Sequence, residues 1–142
     1  MTKYDLEIIW RLRKKISLLE EKLKALREAV ENVSPVMDGL PKAKKSVSKV
    51  ENLTAQIIDA EENFVETAEK LLIMMTKLKE LFKRELPEEI AYIFISRYIV
   101  CRTWKEIAQC YRCTISWCYL AHSKGLKILE KVQDFAQDRG AG

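Results

Sequence analysis

TWKEIAQCYRCTISWCYLAHSKGLKIL, residues 103–129, decides what kind of protein this is. Thr103-Trp104-Lys105-Glu106 fits a capping box, in which the Thr hydroxyl accepts from the amide three residues on and the Glu side chain reaches back to the cap. A short helix to about Tyr111 should follow. Three residues later Thr114 can cap another helix, which the pattern carries to about Ala136. Two helices joined by a three- or four-residue turn, behind a packing helix, make a helix-turn-helix. Ile107, Tyr111, Cys118, Ala121 and Leu126 are spaced to meet in one core. Ala108 is small where two helices must cross closely, and Ser123 and Gly125 are small in the last helix. Gly125 gives up as much as ~1 kcal/mol of helix propensity relative to Ala.

The packing helix lies upstream. Arg84-Glu85-Leu86-Pro87 marks a break, and Pro87 suits the first turn of a new helix whose positive end Glu88 and Glu89 complement. EEIAYIFISRYIV then brings Ile90, Ile93, Phe94, Tyr98 and Ile99 to an apolar helix.

Before the break the chain is a different kind of object. Ile9, Leu12, Ile16, Leu19, Leu23, Leu26, Val30 and Val33 alternate steps of three and four, a heptad seam that predicts a helix over roughly residues 3–33. NVSPVMDGLPKAKKSVS, with two Pro and a Gly among polar residues, predicts a loop at about 34–48. A second seam runs Val50, Leu53, Ile57, Ala60, Phe64, Thr67, Leu71, Met74, Leu78, Leu81. Ile58, Val65 and Leu72 widen it on one side, Ala68, Met75 and Phe82 on the other. A two-stranded seam needs only a narrow stripe, so the second helix should touch more than the first: a second subunit or the C-terminal module. Ile58, Val65, Leu72 and Met75 are the candidate oligomer interface. Trp10 should pack against a neighbouring helix. The expected protein is all-α: a long antiparallel coiled-coil helical hairpin over 1–84, a compact helix-turn-helix module over 85–137, and a frayed tail over 138–142.

Composition agrees. With 142 residues, 48% apolar, 32% charged, four Gly and three Pro, the chain is poor in turn formers and rich in helix formers. The absence of an apolar run near ~20 residues argues against a membrane span, and charges inside the N-terminal apolar pattern argue against a signal peptide. Four Cys in such a chain point to reduced thiols and a cytoplasmic protein. The net charge of +4 divides as +4 over 1–48, −2 over 49–83 and +2 over 84–142. That mild excess permits a nucleic-acid partner without requiring one. Lys42, Lys44 and Lys45 form a small basic cluster in the expected loop.

With these residues placed, about residues 88–131 resemble sigma-70 region 4. The resemblance rests on Trp104, Glu106-Ile107-Ala108, the Thr114 cap, His122, and Lys124-Gly125-Leu126-Lys127-Ile128-Leu129. SPVMDGLPKAKKSVSKVENLTAQIIDAEE is in turn similar to the S-P-x-x-x-G-M-P…K-V-x-N-L-x-x-x-I-I-D-x-E stretch of small prophage proteins of Firmicutes, in which a helical hairpin precedes a sigma-region-4-like end. The resemblance implies a phage or prophage transcription regulator acting in the bacterial cytoplasm. Its partners would be double-stranded DNA, a second copy in a homodimer, and RNA polymerase. Two departures stand out. Arg112 occupies a turn position where such proteins often have Gly. The base-reading positions, typically Arg, Glu or Gln, are here Ile115, Ser116, Trp117 and Leu120.

Thr114, Ile115, Ser116, Trp117 and Leu120 are therefore the candidate base-facing set, and Lys105, Arg112, Lys124 and Lys127 the candidate phosphate contacts. Because Trp117 and Leu120 are large and apolar, the same face suits a protein partner as an alternative to DNA. Cys110, Cys113, Cys118 and His122 superficially resemble a zinc knuckle. The core phase turns Cys118 inward, though, so no metal site and no cofactor are expected. His122 lacks a nucleophile and orienting group, and no acid pair stands out, so the expectation is a non-enzyme.

Overall fold

The computed structural model describes residues 1–33 and 41–132, and of 41–46 the backbone alone. Helices make up its regular structure: α1 (Lys3–Leu6), α2 (Ile8–Glu31), α3 (Pro41–Glu85), α4 (Glu88–Phe94), a π-helical turn (Ile95–Ile99), α5 (Trp104–Cys110) and α6 (Ile115–Leu129). The long helices α2 and α3 pack antiparallel, and a compact cluster of short helices follows them. The all-α hairpin-plus-module architecture expected from the two heptad seams is the one observed. The chain forms two compact units, Leu12–Lys70 and Met1–Arg11 together with the chain from Leu71 onward.

Several element ends differ from the sequence expectation. The first helix is interrupted at Glu7, whose ψ of 8° leaves the helical region, and it ends at Glu31 rather than residue 33. Helix α3 starts at Pro41, well inside the segment expected to be loop, because Pro suits the first helical position, where a missing N–H loses no bond. Lys42, Lys44 and Lys45 thus fall in its first turns, and their side chains lie outside the described residues. Pro87 caps α4 from just before its first residue and not from inside it. Helix α6 stops at Leu129, short of Ala136, as the amides of Lys131 and Val132 turn back to the carbonyls of Ile128 and Leu129. Residues 133–142, with the tail, lie outside the described residues.

In the unit Leu12–Lys70 the two seams meet as their spacing requires. Leu12, Leu23, Ala60 and Thr67 are buried, and Ile16, Leu19, Leu26, Leu53, Ile57 and Phe64 are half-buried. Thr67 satisfies its hydroxyl on the Asn63 carbonyl at 2.7 Å. Arg27 and Glu61 pair across the helices at 2.9 Å, but both side chains are about half exposed, so the pair contributes under about 1 kcal/mol. Burial of the seam holds this unit together.

The other unit is built on aromatic rings. Phe82, fully buried near the end of α3, meets Phe94 edge-on at 5.4 Å and Tyr98 at 6.4 Å. Phe94 and Tyr98 each stack on His122 of α6, at 5.2 and 5.7 Å, and Trp104 meets the imidazole edge-on at 5.0 Å. Phe82 accounts for one of the two broadened flanks of the second seam: it serves the C-terminal module. The other flank, Ile58, Val65 and Leu72, stays exposed, and Met75 is half-buried.

Below the rings, Ile93, Ile107, Ala108, Cys118 and Ala121 form one cluster, with Ile90, Trp104 and Cys113 against it. Four of these are the residues read from the sequence as core or crossing positions. Tyr111 and Leu126 are not in that cluster. Tyr111 is exposed, with its hydroxyl 2.8 Å from that of the buried Ser96, and Leu126 is half-buried. Gly125 allows a close approach of α6 to α4: a Cβ there would collide with the Phe94 ring and sit 3.0 Å from an Ile90 methyl. Phe82, Tyr98 and His122 pack around Phe94 and oppose its stepping aside.

Burial, with Lys3 and Arg97 nearby, pulls the His122 pKa down to about 4. The imidazole is neutral at pH 7 and hydrogen-bonded through Nε2 to the Tyr98 hydroxyl, whose own pKa burial pushes up to about 12. A depressed base favours the folded state above its unfolded pKa of ~6.5, and that contribution is lost as pH falls from there toward 4.

Two outcomes follow from this core. Gly125→Ala should lower the stability from urea unfolding by about 1–2 kcal/mol, the clash outweighing the gain in helix propensity. A gain would mean that the Phe94 ring yields. Between pH 7 and pH 5 His122 should remove about 2 kcal/mol of unfolding free energy. In His122→Gln, which keeps a partner for Tyr98 but cannot titrate, the pH dependence should flatten by that amount; an unchanged slope would assign it to other groups.

Candidate nucleic-acid interface

The helix-turn-helix is α5, the turn at 111–114, and α6, packed behind by α4. Thr103 opens α5 by accepting from the Glu106 amide at 3.2 Å. The other half of the expected capping box differs: the Glu106 carboxylate accepts from the Thr103 hydroxyl at 3.0 Å, a bond between side chains. Thr114 opens α6 in extended conformation and accepts from the Trp117 amide at 3.0 Å. Between them the Arg112 amide donates to the Gln109 carbonyl at 3.4 Å and the Cys113 amide to Ala108 at 3.0 Å. That is the bond pattern of a Schellman ending, which puts its αL residue at Arg112. Arg112 has φ 52°, so the turn makes the demand that Gly meets more easily, and the chain meets it with Arg. A second left-handed residue, Cys101 (φ 66°), follows the π-helical turn; nothing in the sequence pattern announced that turn or the Cys101 conformation.

Helix α6 divides its residues among three faces. Cys118, Ala121, Gly125 and Leu129 are buried. Ser116, Leu120, Lys124 and Lys127, at steps of four, four and three, lie on one exposed stripe. Thr114 and Ile115 are exposed at its N-terminal end, and Lys105 and Arg112 are exposed on α5 and the turn. Leu120 is 54% exposed and Trp117 38%. Trp117, seven residues before Lys124, borders this stripe on the side nearer the buried face. Together with Glu89, Tyr92, Ile93, Tyr111 and Cys113 it lines a cavity of about 320 Å³. The candidate residues therefore occur as an exposed α6 stripe plus flanking cations, with Trp117 drawn toward α4.

Sequence reasoning missed Arg97. Its guanidinium lies 4.6 Å from the Trp10 ring centroid and 4.7 Å from that of Trp104, and it donates to the Arg102 carbonyl. The Trp10 indole N–H donates in turn to the Arg97 carbonyl at 2.9 Å. One cation thus holds two indoles, which explains both tryptophans as packing residues. Only the long-range fold brings 10, 97 and 104 together, so no local signal could have found it.

The thiols are arranged for packing. Cys118 is fully buried, its Sγ 3.5 Å from that of Cys113, and burial pushes its pKa up to about 11. Cys110 Sγ accepts from Arg102 at 3.3 Å, and His122 Nε2 is taken by Tyr98. Among the described residues no group of three or more His, Cys, Asp and Glu is placed to hold a metal. No described helix is long and apolar enough to cross a membrane. A larger cavity of about 680 Å³ in the unit Leu12–Lys70 mixes Lys24 and Arg27 with Glu20, Glu28, Glu31 and Glu61 along an apolar floor, a solvated groove between paired helices.

Arg112→Gly should raise stability by about 0.5–1 kcal/mol, relief of the left-handed strain exceeding the added entropy of the unfolded chain. A fall in the thermal midpoint would show that the Arg side chain holds the turn. Comparisons of the chain with protein-family models, with curated proteins and with solved structures return no match.

Proposed function

We propose that this protein is a transcription regulator of phage or prophage type that binds double-stranded DNA through α5–turn–α6 and acts as a homodimer in the bacterial cytoplasm. The observation that carries the proposal is the exposed N-terminal end of α6. Thr114, Ile115 and Ser116 stand free of the core, on a helix held from behind by α4 and α5. A recognition helix needs that arrangement to enter a major groove.

Recognition by this helix would be unlike that of an Arg-tipped one. Ser116 can exchange a hydrogen bond with a base edge, and Ile115 and Leu120 can meet thymine methyl groups. None gives a bidentate guanine contact, so A·T-containing sites are favoured and affinity falls to the phosphates. Lys105, Arg112, Lys124 and Lys127 are the exposed cations for that purpose. About four contacts per module give weak, salt-sensitive binding, which two modules in a dimer or a polymerase bound alongside would reinforce. Ile58, Val65, Leu72 and Met75 are the residues proposed to pair the two copies. A second reading, in which the module binds RNA polymerase or another regulator, is favoured by the exposure of Leu120 and by the cavity that Trp117 lines beside it.

Fluorescence anisotropy over a salt series, with random duplex and a selected site pool, tests the proposal. Specific binding should exceed random binding, and Lys124→Ala with Lys127→Ala should weaken both and flatten the salt slope by up to ~2 units. Absence of binding to any duplex at low salt by the folded protein would sink the DNA reading and leave the protein-partner one.

A further inference from the structure

The cavity beside Trp117 is not accounted for by DNA. Its walls are three aromatic rings, Tyr92 of α4, Tyr111 of the turn and Trp117 of α6, and its charge comes from Glu89. Among the described residues no Lys or Arg lines it. The Tyr92 and Tyr111 rings are nearly parallel, 12° apart in tilt with centroids at 6.4 Å. All three rings are more than a third exposed, an arrangement that leaves aromatic surface in water beside an acid.

Two of the three ring walls, Tyr92 and Tyr111, are also held by hydrogen bonds. The Tyr111 hydroxyl is bonded to Ser96, which is buried, and donates to the Tyr92 carbonyl at 3.4 Å. The Tyr92 hydroxyl donates to Glu88 at 2.9 Å, which brings a second carboxylate near. Buried Ile93 and half-buried Cys113 complete the lining. Side chains held this way lose little freedom when a ligand arrives.

Ring faces carry partial negative charge, so three rings and a carboxylate together attract an organic cation. The same charge repels phosphate, which separates this cleft from the basic stripe of α6. A guanidinium suits it better than an ammonium: it is planar, stacks on ring faces, and forks to a carboxylate. About 320 Å³ exceeds one side chain and leaves room for adjoining main chain. We propose that this cleft docks an arginine side chain presented by a partner protein, with Tyr92, Tyr111 and Trp117 stacking on it and Glu89 pairing with its charge. The site shares no lysine with the proposed DNA contacts, so each can fail without the other.

The test uses the whole protein labelled with ¹⁵N, read at the indole N–H signals, with Trp10 and Trp104 as internal controls because Arg97 covers both. The probes are a blocked Ala-Arg-Ala peptide and its citrulline counterpart, which has the same shape without charge. The arginine peptide should shift the Trp117 signal saturably, and the citrulline peptide should bind about tenfold more weakly or not at all. Glu89→Gln, an exposed and conservative change, should weaken the arginine peptide by about the same factor, while Lys124→Ala with Lys127→Ala should leave it unaltered. Equal response to both peptides, or indifference to Glu89→Gln, overturns the proposal and leaves an apolar groove. A Trp117 shift that depends on protein concentration alone would assign the cleft to a second copy, and one produced by duplex DNA with the arginine peptide silent would assign it to nucleic acid. Either result also overturns it.

Discussion

The contact between the Phe94 ring and the bare Cα of Gly125 sets the geometry of the C-terminal module. Phe82, Tyr98 and His122 pack against Phe94 from other elements and oppose its retreat. Helix α6 can therefore lie this close to α4 only where it has no side chain. That closeness fixes the rotation of α6, and the rotation decides which residues are buried, which form the exposed stripe, and which turn toward α4. Tight packing of this kind transmits a one-methyl change to every neighbour, since protein interiors hold few voids to absorb it. The same crowding strips water from His122 and keeps it neutral.

How much of this was legible follows from the range of each interaction. Heptad steps and caps are local, so the two seams, Thr103, Thr114 and the Ile107–Ala108–Cys118–Ala121 core could be read directly. Element ends were less legible because one residue type serves two purposes: Pro41 reads as loop and in fact begins a helix. The aromatic core could be named only in part. Phe94, Tyr98 and His122 are individually apolar or ambiguous in sequence, and their meeting depends on a π-helical turn that no periodicity encodes. The Arg97 sandwich between Trp10 and Trp104 joins residues 87 positions apart in one of its contacts and was invisible for the same reason.

Of the candidate site, the sequence placed Arg112 at a glycine position, and the backbone bears out the demand. A strained residue that persists is a pointer to use, provided its side chain has something to do. Arg112 is exposed and sits between the two helices of the motif, where a phosphate of a docked duplex would pass under the proposed reading. Gly would ease the turn and delete that cation. Stability and binding then pull in opposite directions at one position, as they do at many functional sites.

The weakest element of the DNA reading in sequence was Trp117 at a base-facing position. Folding changes the question, because Trp117, at the edge of the stripe of Ser116, Leu120, Lys124 and Lys127, shares a cavity with Tyr92 and Glu89. The stripe carries two lysines and no acid; the cavity carries an acid and no base. Two surfaces of opposite sign on adjacent faces of one helix suit two different partners, a polyanion on one and a cation on the other. Under the proposed reading, a regulator bound weakly to DNA and held there by a second protein would need that division. Each surface then discriminates against the other's partner by charge alone, before any shape is matched.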